Sequence, residues 1–306
     1  MNMCNVRWMW LLALAWTVAT QVDAQTFRDR LANAREASLQ PAAQPPALPE
    51  GARRLSDLAY GDDPRQRFDV YLPAQAQDAP VILYAHGGGW AYGNKDNPGT
   101  IENKAAYWLP KGYVLVSMNY RMRPDTAPLD QARDVARALA EVQKLAPQWR
   151  ADPARVVLMG HSAGAHLVAL IGASESLWKA AGAQRPLGVI SLDSGALDVP
   201  AIMRAPRLPP LYTRAFGDDP DDWVAVSPWH QLDRHGRPML IVCSSQRGFP
   251  SSPCDEGRKF AQKATSLGVP MQVLPEPMGH GAINHGLGAA SDYTEAVAAW
   301  LRELLR

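Results

Sequence analysis

The 306-residue sequence is short of several things, and each shortage narrows what the chain does. Cysteine occurs three times, at Cys4, Cys243 and Cys254, with no paired CxxC spacing, and neither HExxH nor GxxxxGKS/T is present. Dedicated metal chemistry and phosphate cradling of those kinds are therefore not indicated, and no cofactor or metal is expected. A charge excess is missing too: 31 basic against 30 acidic residues leave a formal net charge of +1. That balance offers no electrostatic footprint for nucleic acid or an anionic membrane surface, and suits neutral or small substrates better. The apolar run at residues 8–19 is about 12 residues long, against the roughly 20 that span a bilayer. No internal repeat is evident. With 47% hydrophobic and 20% charged residues, the chain can bury one substantial core and reads as one α/β domain.

Arg7 precedes that apolar run, which ends in Thr20 and Gln21 and then Val22, Asp23 and Ala24. This pattern predicts a signal peptide over residues 1–24, cleaved after Ala24, and an exported protein, periplasmic or secreted. Cys4 lies before the apolar run rather than directly after it, so neither a lipid tether nor a stable membrane anchor is expected. Residues 25–50, rich in Ala, Gln, Pro and Arg, read as a flexible arm, and residues 51–306 as the folded domain. Removing the signal leaves Cys243 and Cys254, a disulfide candidate in an exported protein. The alternative is two unpaired thiols, one at a strand end and one near a helix start.

Residues 58–72 suggest two strands around a turn, the antiparallel edge of a sheet. Short apolar runs at 81–85, 113–118, 156–159, 187–192, 239–243 and 271–274 are buried-strand candidates. Helical patterns at 129–145, 163–171, 255–267 and 291–304 lie between and after them. The alternation predicts a mostly parallel sheet with helices on both faces. Residues 199–230 break the rhythm with Pro200, Pro206, Pro209, Pro210, Pro220 and Pro228. This stretch reads either as a small cap over a pocket or as a plain surface excursion.

Gly160-His161-Ser162-Ala163-Gly164 matches GxSxG, which gains meaning when a strand enters it and a helix leaves it, as predicted here. Ser162 is thereby a candidate nucleophile. His86-Gly87-Gly88-Gly89-Trp90 directly follows the strand at 81–85. A glycine run there lets backbone N–H groups approach a developing oxyanion, so Gly87 and Gly88 are the expected donors, with the Ala163 amide completing the hole. His86 reads as a brace for that loop. His166, one helical turn after Ser162, reads as packing behind it. Trp90, Trp178 and Trp229 read as core aromatics or pocket walls.

Together these motifs resemble the esterase and lipase branch of the α/β-hydrolases that carries an HGGG loop, which includes hormone-sensitive-lipase-like enzymes and feruloyl or acetyl esterases. The resemblance covers roughly residues 55–305 and includes residues 216–223 with Ser227, Pro228 and Trp229, similar to the segment such enzymes place before the acid-bearing strand. It implies the α/β-hydrolase fold, an elbow serine that attacks an ester carbonyl and a late histidine that takes its proton. His280 and His285 compete for the latter; His280 follows the strand at 271–274 at the family's usual place, and His285 reads as a surface or capping residue at the start of the last helix. The family's acid is expected soon after the strand at 239–243. This sequence departs there, because residues 244–252 contain no carboxylate. Asp255 is the first choice, with Glu256, Asp193 and Asp198 as alternatives, and Asp255 also suits the first turn of a helix, where it favours the dipole.

The resulting expectation is a cofactor-free serine hydrolase acting on a small-molecule ester through an acyl-enzyme, with Ser162, His280 and Asp255 as its triad. Two rivals stand beside it: a formamidase-like amide hydrolase on the same residues, and a non-catalytic binding protein of the same fold.

Overall fold

The computed structural model describes residues 47–97 and 99–306. The predicted signal peptide and most of the predicted arm lie outside the described residues. Eight strands form one sheet: β1 (Arg53–Ala59), β2 (Arg67–Leu72), β3 (Ala79–Ala85), β4 (Val114–Met118), β5 (Ala151–His161), β6 (Gly188–Leu192), β7 (Met239–Ser244) and β8 (Met271–Glu276). Their spatial order is β1-β2-β4-β3-β5-β6-β7-β8. The β1–β2 and β2–β4 pairs are antiparallel and all others parallel, so the expected antiparallel edge is present.

The strands read as continuous apolar runs because both faces are covered. Along β3, Val81, Leu83 and Ala85 join one buried cluster while Ile82 and Tyr84 join the other. The first cluster packs against α2 (Pro128–Leu145), α3 (Ala163–Ala173) and α9 (Pro253–Ser266), and the second against α1 (Glu102–Trp108), α10 (His280–Gly286) and α11 (Asp292–Leu304). Helix α2 shows why: Ala132, Val135, Ala136, Leu139 and Val142 are buried at helical spacing, and Pro128 opens the first turn. Each fully buried aliphatic side chain contributes about 1.5–3 kcal/mol. His285 sits in the last turn of α10, not in the final helix, which Ser291 caps by accepting from the Thr294 amide at 3.2 Å.

The proline-rich stretch between β6 and β7, which also follows α4 (Glu175–Ala180) in the chain, is not irregular. It holds four short helices, α5 (Val199–Met203), α6 (Pro210–Phe216), α7 (Pro220–Ala225) and α8 (Pro228–Gln231), each with a proline in its first two positions. A first-turn proline lacks only an N–H that has no intrahelical partner there. Four of the six prolines that look like breakers, Pro200, Pro210, Pro220 and Pro228, thus start helices. Among the described residues no helix is long and apolar enough to cross a membrane.

Candidate active site

Parallel pairing sets the site. Ala85 pairs with Gly160, His161 with Leu192, and Leu192 with Val242, so the residues next after β3, β5 and β6 leave the sheet side by side at its C-terminal edge. Those residues are His86, Ser162 and Asp193. In parallel sheets this edge is where ligands are bound.

Ser162 occupies φ 56°, ψ −115° between β5 and α3, a conformation that exposes its hydroxyl above the turn. Two glycines make the turn sterically feasible: a Cβ on Gly160 would collide with the Gly164 carbonyl, and one on Gly164 with the carbonyls of Ala85 and His86. The Ser162 amide donates to Leu192 O at 2.9 Å, tying the turn to β6. Among the described residues no hydrogen bond joins the Ser162 hydroxyl to His280; such bonds often tighten only when substrate binds.

Gly87 lies directly against this serine, since a Cβ there would stand 3.1 Å from Ser162 Cβ and 3.0 Å from His161 Nδ1. Gly88, at φ 130°, leaves no room for a Cβ beside Tyr92 O and closes a tight turn by accepting the Tyr92 amide at 2.9 Å. Ala163 opens α3, where the first amides have no intrahelical acceptor. His86 does brace the loop: its ring stacks on Tyr120 at 4.6 Å, Tyr120 donates to His86 O at 2.8 Å, and burial pulls the imidazole down to about 4. His166 is fully buried behind the elbow. Trp90 Nε1 donates to its Nδ1 at 3.1 Å, and its Nε2 donates to Val226 O at 2.7 Å, linking the glycine loop to the helical insertion. Trp90 also packs edge-on against Phe216 of α6 at 4.7 Å.

His280 opens α10, beyond β8. Its Nδ1 donates to Asp193 Oδ2 at 2.6 Å. Asp193 is wholly buried at φ 54°, and its Oδ1 accepts the Ser244 amide at 2.7 Å. Burial alone raises its carboxyl, but the His280 hydrogen bond, the Arg247 charge and the Ser244 amide outweigh that and hold it well below the usual carboxylate range. The loop that precedes His280 is fixed by Ser244, whose hydroxyl donates to Met278 O at 2.6 Å. Helix α10 is fixed by Lys104, whose buried ammonium donates to Thr100 O, Asn284 O and Asn284 Oδ1 at 2.8, 2.7 and 3.0 Å.

The first-choice acid, Asp255, is corrected by this geometry. It lies in the first turn of α9, its amide capped by Ser252 Oγ, its side chain 64% exposed and paired with Arg258 at 2.6 Å. Helix-dipole stabilisation accounts for it. The adjacent Cys254 is bonded to Cys243, which ties the start of α9 back to the end of β7. Glu256 is half-buried and accepts the Leu197 amide at 3.3 Å; desolvation pushes it up to about 7, partly opposed by hydrogen bonds and the Arg247 charge. Asp198 caps α5 by accepting the Ala201 amide at 3.2 Å. Asp193, the alternative at the end of β6, is the carboxylate that meets His280.

Two residues went unread in the sequence. His161 Nε2 donates to His280 O at 3.0 Å with the two rings 4.5 Å apart, and burial, then the neighbouring His280, hold His161 well below the ordinary imidazole range. It is a neutral spacer between Gly87 and His280. Arg247 Nη1 donates to Asp193 Oδ2 at 2.5 Å and lies 3.0 Å from His280 Nδ1. Two donors cannot bond each other, so imidazole and guanidinium converge on one carboxylate oxygen.

A family model described as BD-FAE matches residues 68–187. Carboxylesterase NlhH of Mycobacterium tuberculosis is 28% identical over 285 residues, covering 85% of each chain. The chain has the α/β-hydrolase fold, and its sequence is similar to that of a carboxylesterase over most of its length. This α/β-hydrolase is also 34% identical over 118 residues to the kynurenine formamidase of Danio rerio, 38% of each chain. Of the first curated relatives it matches, the α/β-hydrolase spans between 23% and 43% of their length. Among solved structures, a truncated carbohydrate esterase from gut microbiota superposes with a TM-score of 0.71 at 18% identity, over 85% of this chain and 99% of the other, a likeness of fold.

Proposed function

We propose that this α/β-hydrolase cleaves carboxylic esters of small molecules by acyl transfer through Ser162. The observation that carries the reading is the 2.6 Å hydrogen bond between His280 Nδ1 and buried Asp193 Oδ2 at the strand ends beside Ser162. His280 Nε2 takes the hydroxyl proton as Ser162 Oγ bonds to the ester carbonyl carbon, and the carbonyl π pair moves onto oxygen. The amides of Gly87, Gly88 and Ala163 receive that oxyanion, each such donor contributing about 3 kcal/mol to the transition state. Collapse re-forms the carbonyl and breaks the bond to the alcohol, which leaves with the proton held by His280. Water then attacks the acyl-serine in the same way. Asp193 keeps Nδ1–H in place and balances the transient imidazolium.

Similarity to a carboxylesterase over 85% of both chains supports this reading. The helical insertion, packed on Trp90, serves as a wall of the substrate cleft. Export of the chain on its residues 1–24 suits the Cys243–Cys254 bond, which favours an oxidising compartment; alkylation and mass analysis of the mature, fractionated protein tests both. For the activity, the test is a fluorophosphonate probe with p-nitrophenyl butyrate turnover. A stoichiometric adduct on Ser162 that vanishes in Ser162→Ala is expected, and a folded protein that neither labels nor turns over would be a binding module.

A second reading, amide hydrolysis on the same residues, is favoured by the match to a kynurenine formamidase. Comparing kcat/KM for short p-nitrophenyl esters with that for N-formyl aromatic amines separates the two.

A further inference from the structure

Beside the triad stand two hydrogen-bond donors that lack acceptors. Arg247 reaches the site from the disulfide-closed loop, and all of its hydrogen bonds among the described residues are made by Nη1, to Asp193 Oδ2 and Asp193 O. Its other amino group, Nη2, is turned toward Gly195. A Cβ on Gly195 would stand 3.3 Å from Arg247 Nη2, 3.4 Å from Ser251 Oγ and 3.7 Å from the Tyr212 hydroxyl oxygen. Glycine at this position therefore leaves a small niche that three polar groups face, two from the loop after β7 and one from α6.

Tyr212, on α6 of the insertion, is 6% exposed, and among the described residues its hydroxyl has no hydrogen-bond partner. Burial pushes the phenol up to about 12, so it stays a donor across the working range of pH. The carboxylates nearby are already engaged: Asp193 by His280, Arg247 and the Ser244 amide, and Glu256 by the Leu197 amide. A guanidinium edge, a buried phenol and the Ser251 hydroxyl, itself without a hydrogen-bond partner among the described residues, thus face one spot with no carboxylate between them. The Arg247 side chain keeps 21% of its surface open to solvent. Donors so arranged favour an anionic oxygen, because a charged acceptor strengthens both bonds.

We propose that Arg247 Nη2 and the Tyr212 hydroxyl form a specificity subsite for a carboxylate borne by the ester substrate, with Gly195 keeping the niche open. The inference rests on the ester-hydrolase reading and sharpens it: the substrates are half-esters or carboxylated esters rather than simple neutral ones.

The test compares matched ester pairs, each rate divided by the ester's own hydroxide-catalysed rate. One arm sets 4-carboxyphenyl butyrate against 4-carbamoylphenyl butyrate, placing the charge on the alcohol. The other sets mono-4-nitrophenyl adipate against its methyl ester, placing it on the acyl chain. A preference for the anionic member of at least about tenfold in kcat/KM is expected in one arm, which identifies the end that carries the carboxylate. Arg247→Gln and Tyr212→Phe should each shrink that preference by raising KM for the anionic ester, and Arg247→Lys should retain part of it. A loss shared equally by charged and neutral esters in both Arg247→Gln and Tyr212→Phe would overturn the subsite. So would a wild-type protein that labels with fluorophosphonate and turns over neutral esters with no preference in either arm, and there the hydrolase reading survives. Absence of labelling and of all turnover would instead remove the hydrolase reading and the subsite together.

Discussion

The loops after β6 and β7 are neighbours, both polar and both beside His280, yet they treat their carboxylates in opposite ways. Asp193 is the first residue beyond β6, at a positive φ that turns its side chain along the sheet edge, where buried donors hold it. The chain beyond β7 offers no acid for ten residues and then bonds Cys254 back to Cys243, 11 positions away in sequence. Its first carboxylate, Asp255, lands in a solvent-facing helical turn. The contrast teaches a rule of position: an acid orients the histidine when it leaves the sheet edge beside it, whichever strand delivers it. The second loop still contributes, but with the opposite sign, sending Arg247 to clamp the acid supplied by the first.

The comparison breaks entirely if the shared centre is removed. Ser162→Ala should lower kcat on p-nitrophenyl butyrate by about 10⁶-fold with folding intact, leaving both loops without chemistry to serve. Opening only the second loop tests its separate worth. The Cys243→Ala, Cys254→Ala variant should lose about 3 kcal/mol of stability, since the bridge closes a short loop in the unfolded chain. That corresponds to a melting temperature lower by about 5–6 °C. Activity should also fall as Arg247 loosens, and full activity after verified reduction of the bridge would show that the loop's closure is dispensable.

Glu256 sharpens the contrast more gently. Its folded value is raised to about 7 from an ordinary 4.5, so between those values the folded state holds a proton that the unfolded chain has released. Its contribution is therefore present in full below about pH 4.5 and is lost as pH rises to about 7. Urea midpoints across that window should show the decline in the wild type and a flatter trace in Glu256→Gln. The smallest effect belongs to the exposed Asp255–Arg258 pair: Arg258→Ala should change stability by about 0–1 kcal/mol and leave turnover unaltered.

Much of the architecture was legible in the sequence because buried parallel strands and the helices that cover them leave strong apolar patterns. The runs at 81–85 and 239–243 fall within β3 and β7, and 163–171 within α3. Ser162 was readable because its turn demands Gly160 and Gly164, and His280 because it lies just beyond β8. The acid was harder, since Asp193, Asp198 and Asp255 all come after strands and only register and burial distinguish them. Prolines misled in the insertion, where the same residue breaks a helix interior and starts a helix. Arg247 was invisible, because its contact with Asp193 joins two loops 54 positions apart that no local pattern connects.

The most direct test of the account is the pair of variants Asp193→Asn and Asp255→Asn, assayed side by side for kcat/KM on p-nitrophenyl butyrate. The geometry predicts a fall of about 10³- to 10⁴-fold for Asp193→Asn and a value within about twofold of wild type for Asp255→Asn. The reverse pattern, with Asp255→Asn disabled and Asp193→Asn active, would contradict it.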